Sequence, residues 1–320
     1  MASTGYYHSP SINKNNLVFC TDDDVWKVDL SLDNPWAQRL TFGPGVNSAT
    51  LISPDGQMVA FYCQEDVTWN ISLVSINGGE TTRLTYLENP TLVGWKDNTT
   101  LYIRSSHQHF TMREGLLYEL NIHTKELVPQ NLGPATSFQE NAYGATLLGR
   151  KNADAASWKR YKGGTASTLW IKQNDNSKFK RILKDIKSHI SCPTWIGKNI
   201  FFISDFDGIA NVYSCNSKGQ NIKRHTHHES YYARFLSSDG NKLTYACGSD
   251  IFVLDPETSL STKIDFRIEM SSQQTKPRLV DTETYLQEFE VNKDASKILL
   301  TARGKLFNMS PWSKAVKQLG

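Results

Sequence analysis

A unit of four short β-type segments recurs down the chain with the same turn chemistry between its parts, and few folds are open to a chain built that way. The clearest copy runs from Ala49 to Thr85. An apolar run ends in Ser53-Pro54-Asp55-Gly56, where Pro presets φ and Gly accepts a positive φ. Met58-Val59-Ala60-Phe61-Tyr62 follows, then a looser loop and Ile71-Ser72-Leu73-Val74-Ser75-Ile76. A second turn at Asn77-Gly78-Gly79 leads into Thr82-Arg83-Leu84-Thr85. Short apolar runs bounded by such turns are the mark of hairpin-linked strands.

The third segment sets the spacing. Its aligned positions are Trp26, Ser72, Tyr118, Trp170, Tyr213, Phe252 and Phe307, with steps of 46, 46, 52, 43, 39 and 55 residues. The fourth segment repeats as Arg39-Leu40-Thr41, Arg83-Leu84-Thr85, Arg181-Ile182-Leu183 and Arg224-His225-Thr226. A four-strand unit of about 40–45 residues is the period of a propeller blade. The expectation is an all-β fold, a β-propeller of four-stranded antiparallel blades. Each blade buries its faces against its neighbours, so a long chain need not divide into conventional domains. Two excursions break the period, at 150–166 and 266–283, and irregular insertions at blade rims are where specificity is carried.

Bulk properties exclude several classes. Net charge is only +3, too small to argue for nucleic acid. The most basic stretch, Lys178–Lys184, alternates charged and apolar residues as a strand with one solvated face would. Five cysteines form no Cys-x-x-Cys pair and sit in apolar runs, where a thiol behaves as a small hydrophobe. No apolar stretch is long enough to cross a bilayer, and Met1–Gly5 lacks the basic and apolar regions of a signal peptide. The expectation is a cytoplasmic, reduced chain, in which Asn70-Ile71-Ser72, Asn98-Thr99-Thr100 and Asn308-Met309-Ser310 match a glycosylation triplet by chance.

Catalytic and metal signals do not assemble. Gly-x-Ser-x-Gly, His-Glu-x-x-His and phosphate-loop patterns are missing from the sequence. His225-Thr226-His227-His228-Glu229 is the most metal-like cluster, but its place at the end of a fourth strand reads as a solvated loop between blades. Asp205-Phe206-Asp207-Gly208 lacks the bidentate Glu of a calcium loop and reads as a tight turn. Asp22-Asp23-Asp24 reads as a solvated turn before Trp26. No cofactor is implied.

Residues 149–165, Gly-Arg-Lys-Asn-Ala-Asp-Ala-Ala-Ser-Trp-Lys-Arg-Tyr-Lys-Gly-Gly-Thr, followed by Leu169-Trp170-Ile171, resemble the insertion in the N-terminal propeller of tricorn proteases. Asp23-Asp24-Val25-Trp26, Arg83-Leu84-Thr85-Tyr86, Leu132-Gly133-Pro134-Ala135-Thr136, Ser204–Gly208, Tyr231-Tyr232-Ala233-Arg234 and Arg303-Gly304-Lys305-Leu306-Phe307 match in order. The resemblance implies the non-catalytic N-terminal part of a cytosolic serine peptidase that trims oligopeptides and assembles as a hexamer. It further implies a six-bladed propeller followed by a seven-bladed one. In that family the nucleophilic Ser and its His lie in a C-terminal region, so no position here inherits a catalytic role. The first propeller would serve as a channel for peptides and a docking surface for downstream aminopeptidases.

One departure concerns binding. Some members carry paired arginines, held to anchor a peptide C-terminus, between the Arg-Leu-Thr-Tyr strand and the next Gly-aromatic pair. Here that loop is Leu87-Glu88-Asn89-Pro90-Thr91-Leu92-Val93, without Arg, and Glu88 would oppose a carboxylate. The candidate contact residues are instead Trp158, Arg160 and Tyr161 on the insertion, expected to pack over a blade rim or a neighbouring domain before touching peptide.

The spacing counts seven units where the resemblance implies six. The expected division is a six-bladed propeller over 1–282 and the first blade of a truncated second propeller over 283–320, with a closed seven-bladed ring as the alternative. A stand-alone interaction scaffold is the rival function, and an enzyme with its site in the central channel is a third.

Overall fold

The computed structural model describes residues 5–66, 68–88, 90–111, 114–152, 154–174, 176–271, 281–312 and 315–320. The chain separates into two compact units, 1–271 and 272–320. Among the described residues the strands are grouped in seven sheets, each an antiparallel up-and-down meander of four.

Six sheets belong to the first unit. The first holds β1 (His8–Asn13), β2 (Asn16–Thr21), β3 (Asp24–Asp29) and β4 (Gln38–Arg39). The second holds β5 (Val46–Ile52), β6 (Met58–Gln64), β7 (Asn70–Ser75) and β8 (Thr82–Arg83). Then come β9 (Thr91–Trp95), β10 (Thr100–Ser105), β11 (Leu116–Asn121) and β12 (Leu127–Pro129). The fourth sheet is β13 (Ser137–Glu140), β14 (Thr146–Arg150), β15 (Thr168–Lys172) and β16 (Lys180–Ile182). The fifth is β17 (Ile190–Ile196), β18 (Asn199–Ser204), β19 (Asn211–Asn216) and β20 (Lys223–Arg224). The sixth is β21 (Ala233–Ser238), β22 (Leu243–Cys247), β23 (Asp250–Leu254) and β24 (Ser261–Lys263). The second unit carries α1 (Thr282–Tyr285), β25 (Leu286–Val291), β26 (Ile298–Ala302), β27 (Lys305–Met309) and β28 (Lys317–Leu319).

The seven positions aligned in sequence, Trp26 to Phe307, each fall on the third residue of a third strand, from β3 to β27. The first strands pack in a closed cycle, β1 on β5, β5 on β9, and so through β13, β17 and β21 back to β1. Sheets thus stack face to face around an axis, and the core is divided among the seams between them. One cluster joins Val18, Cys20 and Val25 to Val59 and Phe61, and another joins Phe201 and Val212 to Leu243 and Tyr245. In the first unit the middle strands are covered on both faces, which is why β22 is buried along its whole length. Outer strands span only two or three residues in the first unit, and short polar edges limit pairing with other chains.

The seam between the sixth and first sheets is closed by the segment after β24. Ala37 N donates to Arg267 O at 2.7 Å and Arg267 N to Pro35 O at 2.8 Å, around a parallel bridge of Trp36 with Arg267. The Phe266 ring sits 5.0 Å from both Tyr7 and Phe19. Ser271 Oγ donates to Asp22 Oδ2 at 2.9 Å. This accounts for the start of the second excursion; residues 272–280 lie outside the described residues.

The repeated Arg-Leu-Thr has a structural meaning. In the fifth sheet Thr226 Oγ1 donates to Asn211 Oδ1 at 2.8 Å and accepts from Val212 N at 2.9 Å, locking the fourth segment onto the third strand. Thr41 repeats this with Asp24 and Val25, and Thr85 with Asn70 and Ile71. Asp24 therefore departs from the expected solvated turn. It is buried beneath Thr41 and Arg39, and burial raises its carboxyl pKa while those two partners oppose the shift.

Candidate functional site

The six first strands surround an axial cavity of about 600 Å³. Its wall mixes short polar side chains, among them Ser11, Thr136, Thr194 and Ser237, with the larger Trp95, Phe138 and Trp195, and Lys14, Glu140 and Asp239 are its charged members. Backbone groups that a channel would leave unpaired are taken up from sheet to sheet. Thr50 Oγ1 donates to Ser9 O at 2.6 Å, Trp95 Nε1 to Leu51 O at 3.1 Å, and Trp195 N to Gln139 Oε1 at 3.1 Å. Lys14 N donates to Asp239 Oδ2 at 3.0 Å, joining the first sheet to the sixth.

Four lining strands bend at a bulge whose extra residue is left-handed without being glycine: Ser9, Ala49, Cys192 and Phe235, with φ of 52°, 49°, 47° and 58°. Each such residue costs roughly 1–2 kcal/mol, offset by the inter-sheet bonds around it.

An antiparallel meander puts two kinds of connection on one rim: the turn from second to third strand, and the link from a fourth strand to the next sheet. The 150–167 insertion joins β14 to β15, so it rises from that rim. Its root is Asn152, whose Nδ2 donates to Ile190 O at 2.7 Å and whose Oδ1 accepts from Thr136 Oγ1 at 2.9 Å. Gly149 is required here by close approach: a Cβ would lie 1.8 Å from Asn152 Oδ1 and 2.1 Å from Ser137 Oγ.

From that root the arm crosses the fifth sheet and reaches the sixth. Asp154 Oδ2 accepts from Arg234 Nε at 2.6 Å. Arg160 N donates to Asp205 Oδ2, while the other oxygen of this buried carboxylate accepts from Ser188 Oγ. Tyr161 stacks on buried His189 at 5.5 Å and 17°, and Trp158 lies 4.0 Å from Tyr161 with 59% of its surface exposed. The His189 pKa is lowered by burial, with Asp205 and Asp154 opposing, and its Nδ1 meets Ser167 Oγ at 3.1 Å.

The arrangement brings Trp158, Arg160 and Tyr161 together on one arm, as their adjacency required. The residues that hold the arm, Asp154, Asp205 and Arg234, escaped the sequence reading. Asp205 carried a signal as part of the family resemblance and as the head of a tight turn, which it is: Gly208 N donates to Asp205 O at 3.1 Å, with Gly208 at φ 111°. The histidine cluster disperses, but not into a solvated loop throughout. His225 is buried between Ser214 Oγ and Ser259 Oγ, both at 2.8 Å, and His228 meets Tyr245 OH at 2.8 Å, while His227 and Glu229 are exposed. Among the described residues no three His, Cys, Asp or Glu side chains converge as a metal would need. The five cysteines are free, four of them buried. Glu88 pairs with His107 at 3.0 Å.

Fold and cavity together define a β-propeller module with a cavity on its axis and a pinned arm on one rim. The chain belongs to the tricorn protease N-terminal β-propeller family, whose model matches residues 4–260. It is 31% identical to the tricorn protease homolog of Saccharolobus solfataricus over 98% of this chain and 29% of that protein. Against the tricorn protease of Thermoplasma acidophilum it is 28% identical, over 93% of this chain and 28% of that one. The crystal structure of the tricorn protease superposes with a TM-score of 0.83 at 25% identity, covering 99% of this chain and 31% of that chain. This chain thus spans under a third of the length of these relatives. A relative in Sulfurisphaera tokodaii, called a putative tricorn-like protease N-terminal subunit, is 32% identical over 52% of this chain and 86% of its own length. No helix among the described residues is long and apolar enough to cross a membrane.

Proposed function

We infer that this propeller conducts oligopeptides along its axis to or from a peptidase chamber built by other parts of a tricorn-type cytoplasmic serine protease. The observation that carries the reading is the axial cavity, whose wall is stitched by hydrogen bonds from sheet to sheet and presents three charged side chains. A wall of that kind offers a passing peptide little to hold, which suits conduction better than storage. Catalysis would come from a C-terminal region, assembly would be hexameric, and the insertion rim would receive aminopeptidases that take the products.

The proposed division places six blades over 1–282 and the opening blade of a second propeller over 283–320. What supports it is the cycle of first strands already complete with β21, and a seventh sheet whose Phe289, Leu299 and Val291 are exposed, as a blade short of neighbours would leave them.

The test is a channel plug in the complete protease. Thr194→Trp with Ser237→Trp is expected to slow cleavage of long oligopeptides at least about tenfold while sparing dipeptide-sized reporters. Unchanged turnover at every length defeats the reading.

A second reading is favoured by the relative named as an N-terminal subunit: this propeller would act as a separate polypeptide, a scaffold that recruits its peptidase. Co-purification with a separately encoded catalytic chain would establish it, and an uninterrupted reading frame beyond Gly320 would remove it.

A further inference from the structure

Where the arm reaches the sixth sheet, four separate parts of the chain line a pocket of about 340 Å³, one of them the 246–249 stretch around the turn from β22 to β23. Tyr6 and Tyr7 come from the segment entering β1, Tyr231, Tyr232, Arg234 and Phe235 from the approach to β21 and its bulge, and Lys159 from the arm. Its volume is within the range of ligand sites, and it lies outside the axial cavity, with which it shares no lining residue.

The charges around it do not cancel. Arg234 is matched by Asp154 and also donates from Nη1 to Tyr6 OH at 2.9 Å. Arg160 is not a lining residue; its guanidinium meets Tyr232, and only its backbone N–H is bound by buried Asp205. Lys159 has no carboxylate partner among the described residues; its Nζ stands 5.3 Å from the Tyr232 ring centroid. His8, the remaining basic group nearby, has its pKa lowered to about 4 by burial and by Arg234, against Asp23, and adds no charge at neutral pH. The pocket wall therefore carries one uncompensated cation among exposed aromatic faces, since Tyr6 and Tyr231 are 56% and 65% exposed.

The backbone that carries Lys159 is also held. Lys159 follows Asp154, pinned to the sixth sheet, and directly precedes Arg160, whose N–H is bound by Asp205. An ammonium on a backbone anchored on both sides loses less freedom on meeting an anion than one on a loose loop. Aromatic walls meanwhile cover the apolar flanks of a ligand and leave its charged end to the ammonium.

We propose that this pocket binds a carboxylate carried by an oligopeptide, with Lys159 as the charge partner and Tyr6, Tyr231 and Tyr232 as its walls. The proposal rests on the reading of the propeller as a peptide conduit and adds a point of capture at its rim. The carboxylate has two sources, a chain terminus or an acidic side chain.

Calorimetric titration of the full 320-residue chain separates them. Three probes are used: N-acetyl-Ala-Ala-Phe with a free terminus, the same peptide amidated, and amidated N-acetyl-Ala-Glu-Phe. At least one carboxylate-bearing probe is expected to bind about tenfold tighter than the neutral one, with the preference shrinking as salt screens it. The tighter of the two identifies the source. Lys159→Met should bring that probe down to the neutral level, whereas Lys162→Met, exposed on the same arm but outside the pocket, should leave it unchanged. Thermal melts of both variants check the fold. Equal affinity for charged and neutral probes, no binding of any probe, or a charge preference that survives Lys159→Met overturns the proposal. The channel plug reads conduction separately: a plug effect with no charge preference removes the pocket alone, and the reverse removes conduction alone.

Discussion

Arg234 Nε meets Asp154 Oδ2 at 2.6 Å across 80 positions of sequence, tying an insertion in the fourth sheet to the first strand of the sixth. The two side chains are 31% and 26% exposed, so the pair belongs with partly buried bridges rather than solvated ones. Its contribution is about 1 kcal/mol, spent on fixing the arm rather than the ring.

Asp154→Ala is expected to release the arm and leave the sheets intact. Limited trypsin digestion should cut faster at Lys159, Arg160 and Lys162, with the thermal midpoint moving by only about 2 °C. A cooperative loss of the whole fold would show that the bridge supports the ring itself.

Gly149→Ala should act more strongly than its small volume suggests. The added methyl meets Asn152 Oδ1 and Ser137 Oγ, and displacing Asn152 would break its bond to the Ile190 carbonyl in the next sheet. A loss of about 1–3 kcal/mol is expected, read as a lower urea midpoint. The same substitution at Gly164, where a Cβ meets nothing within 4 Å, serves as the control.

Stability should fall on acidification through a defined window. The His225 pKa is lowered from 6.5 to about 4 by burial and by Lys223, so between those values the unfolded chain binds the proton and the folded chain does not. The stabilisation is complete above pH 6.5 and is lost as pH falls towards 4, up to about 2 kcal/mol at pH 5. His8 shifts in the same direction. The gap between urea midpoints at pH 7.5 and 5 should be smaller in His225→Gln than in the parent, with the His8 contribution left in both.

The sheets were legible because each blade repeats its own local chemistry. Turns such as Ser53–Gly56 are written in adjacent residues, and the aligned aromatic positions mark a fixed register in the third strands. Thr41, Thr85 and Thr226 were visible as a repeat, though their role as clasps needed the partner Asp24, Asn70 or Asn211, 15 to 17 positions earlier. The cavity wall was not legible, since each strand contributes a few residues that differ in size and kind, from Ser11 and Thr194 to Trp95 and Phe138. The bulges at Ser9, Ala49, Cys192 and Phe235 left no trace because none uses the glycine that would announce a positive φ. His225 misled for a related reason: its polar neighbours in sequence suggested water, while its neighbours in space are Phe201 and the hydroxyls of Ser214 and Ser259.

The Phe266 contact with Tyr7 and Phe19 has a consequence for synthesis on the ribosome. Five seams can form as successive sheets emerge, but the sixth needs both the opening residues and the segment through Ser271. At usual translation rates the aromatic flank of the first sheet waits roughly 10–50 s for its cover. During that interval the nascent chain is an open crescent with a sticky leading edge, so slowing elongation within the sixth sheet should raise its dependence on chaperones.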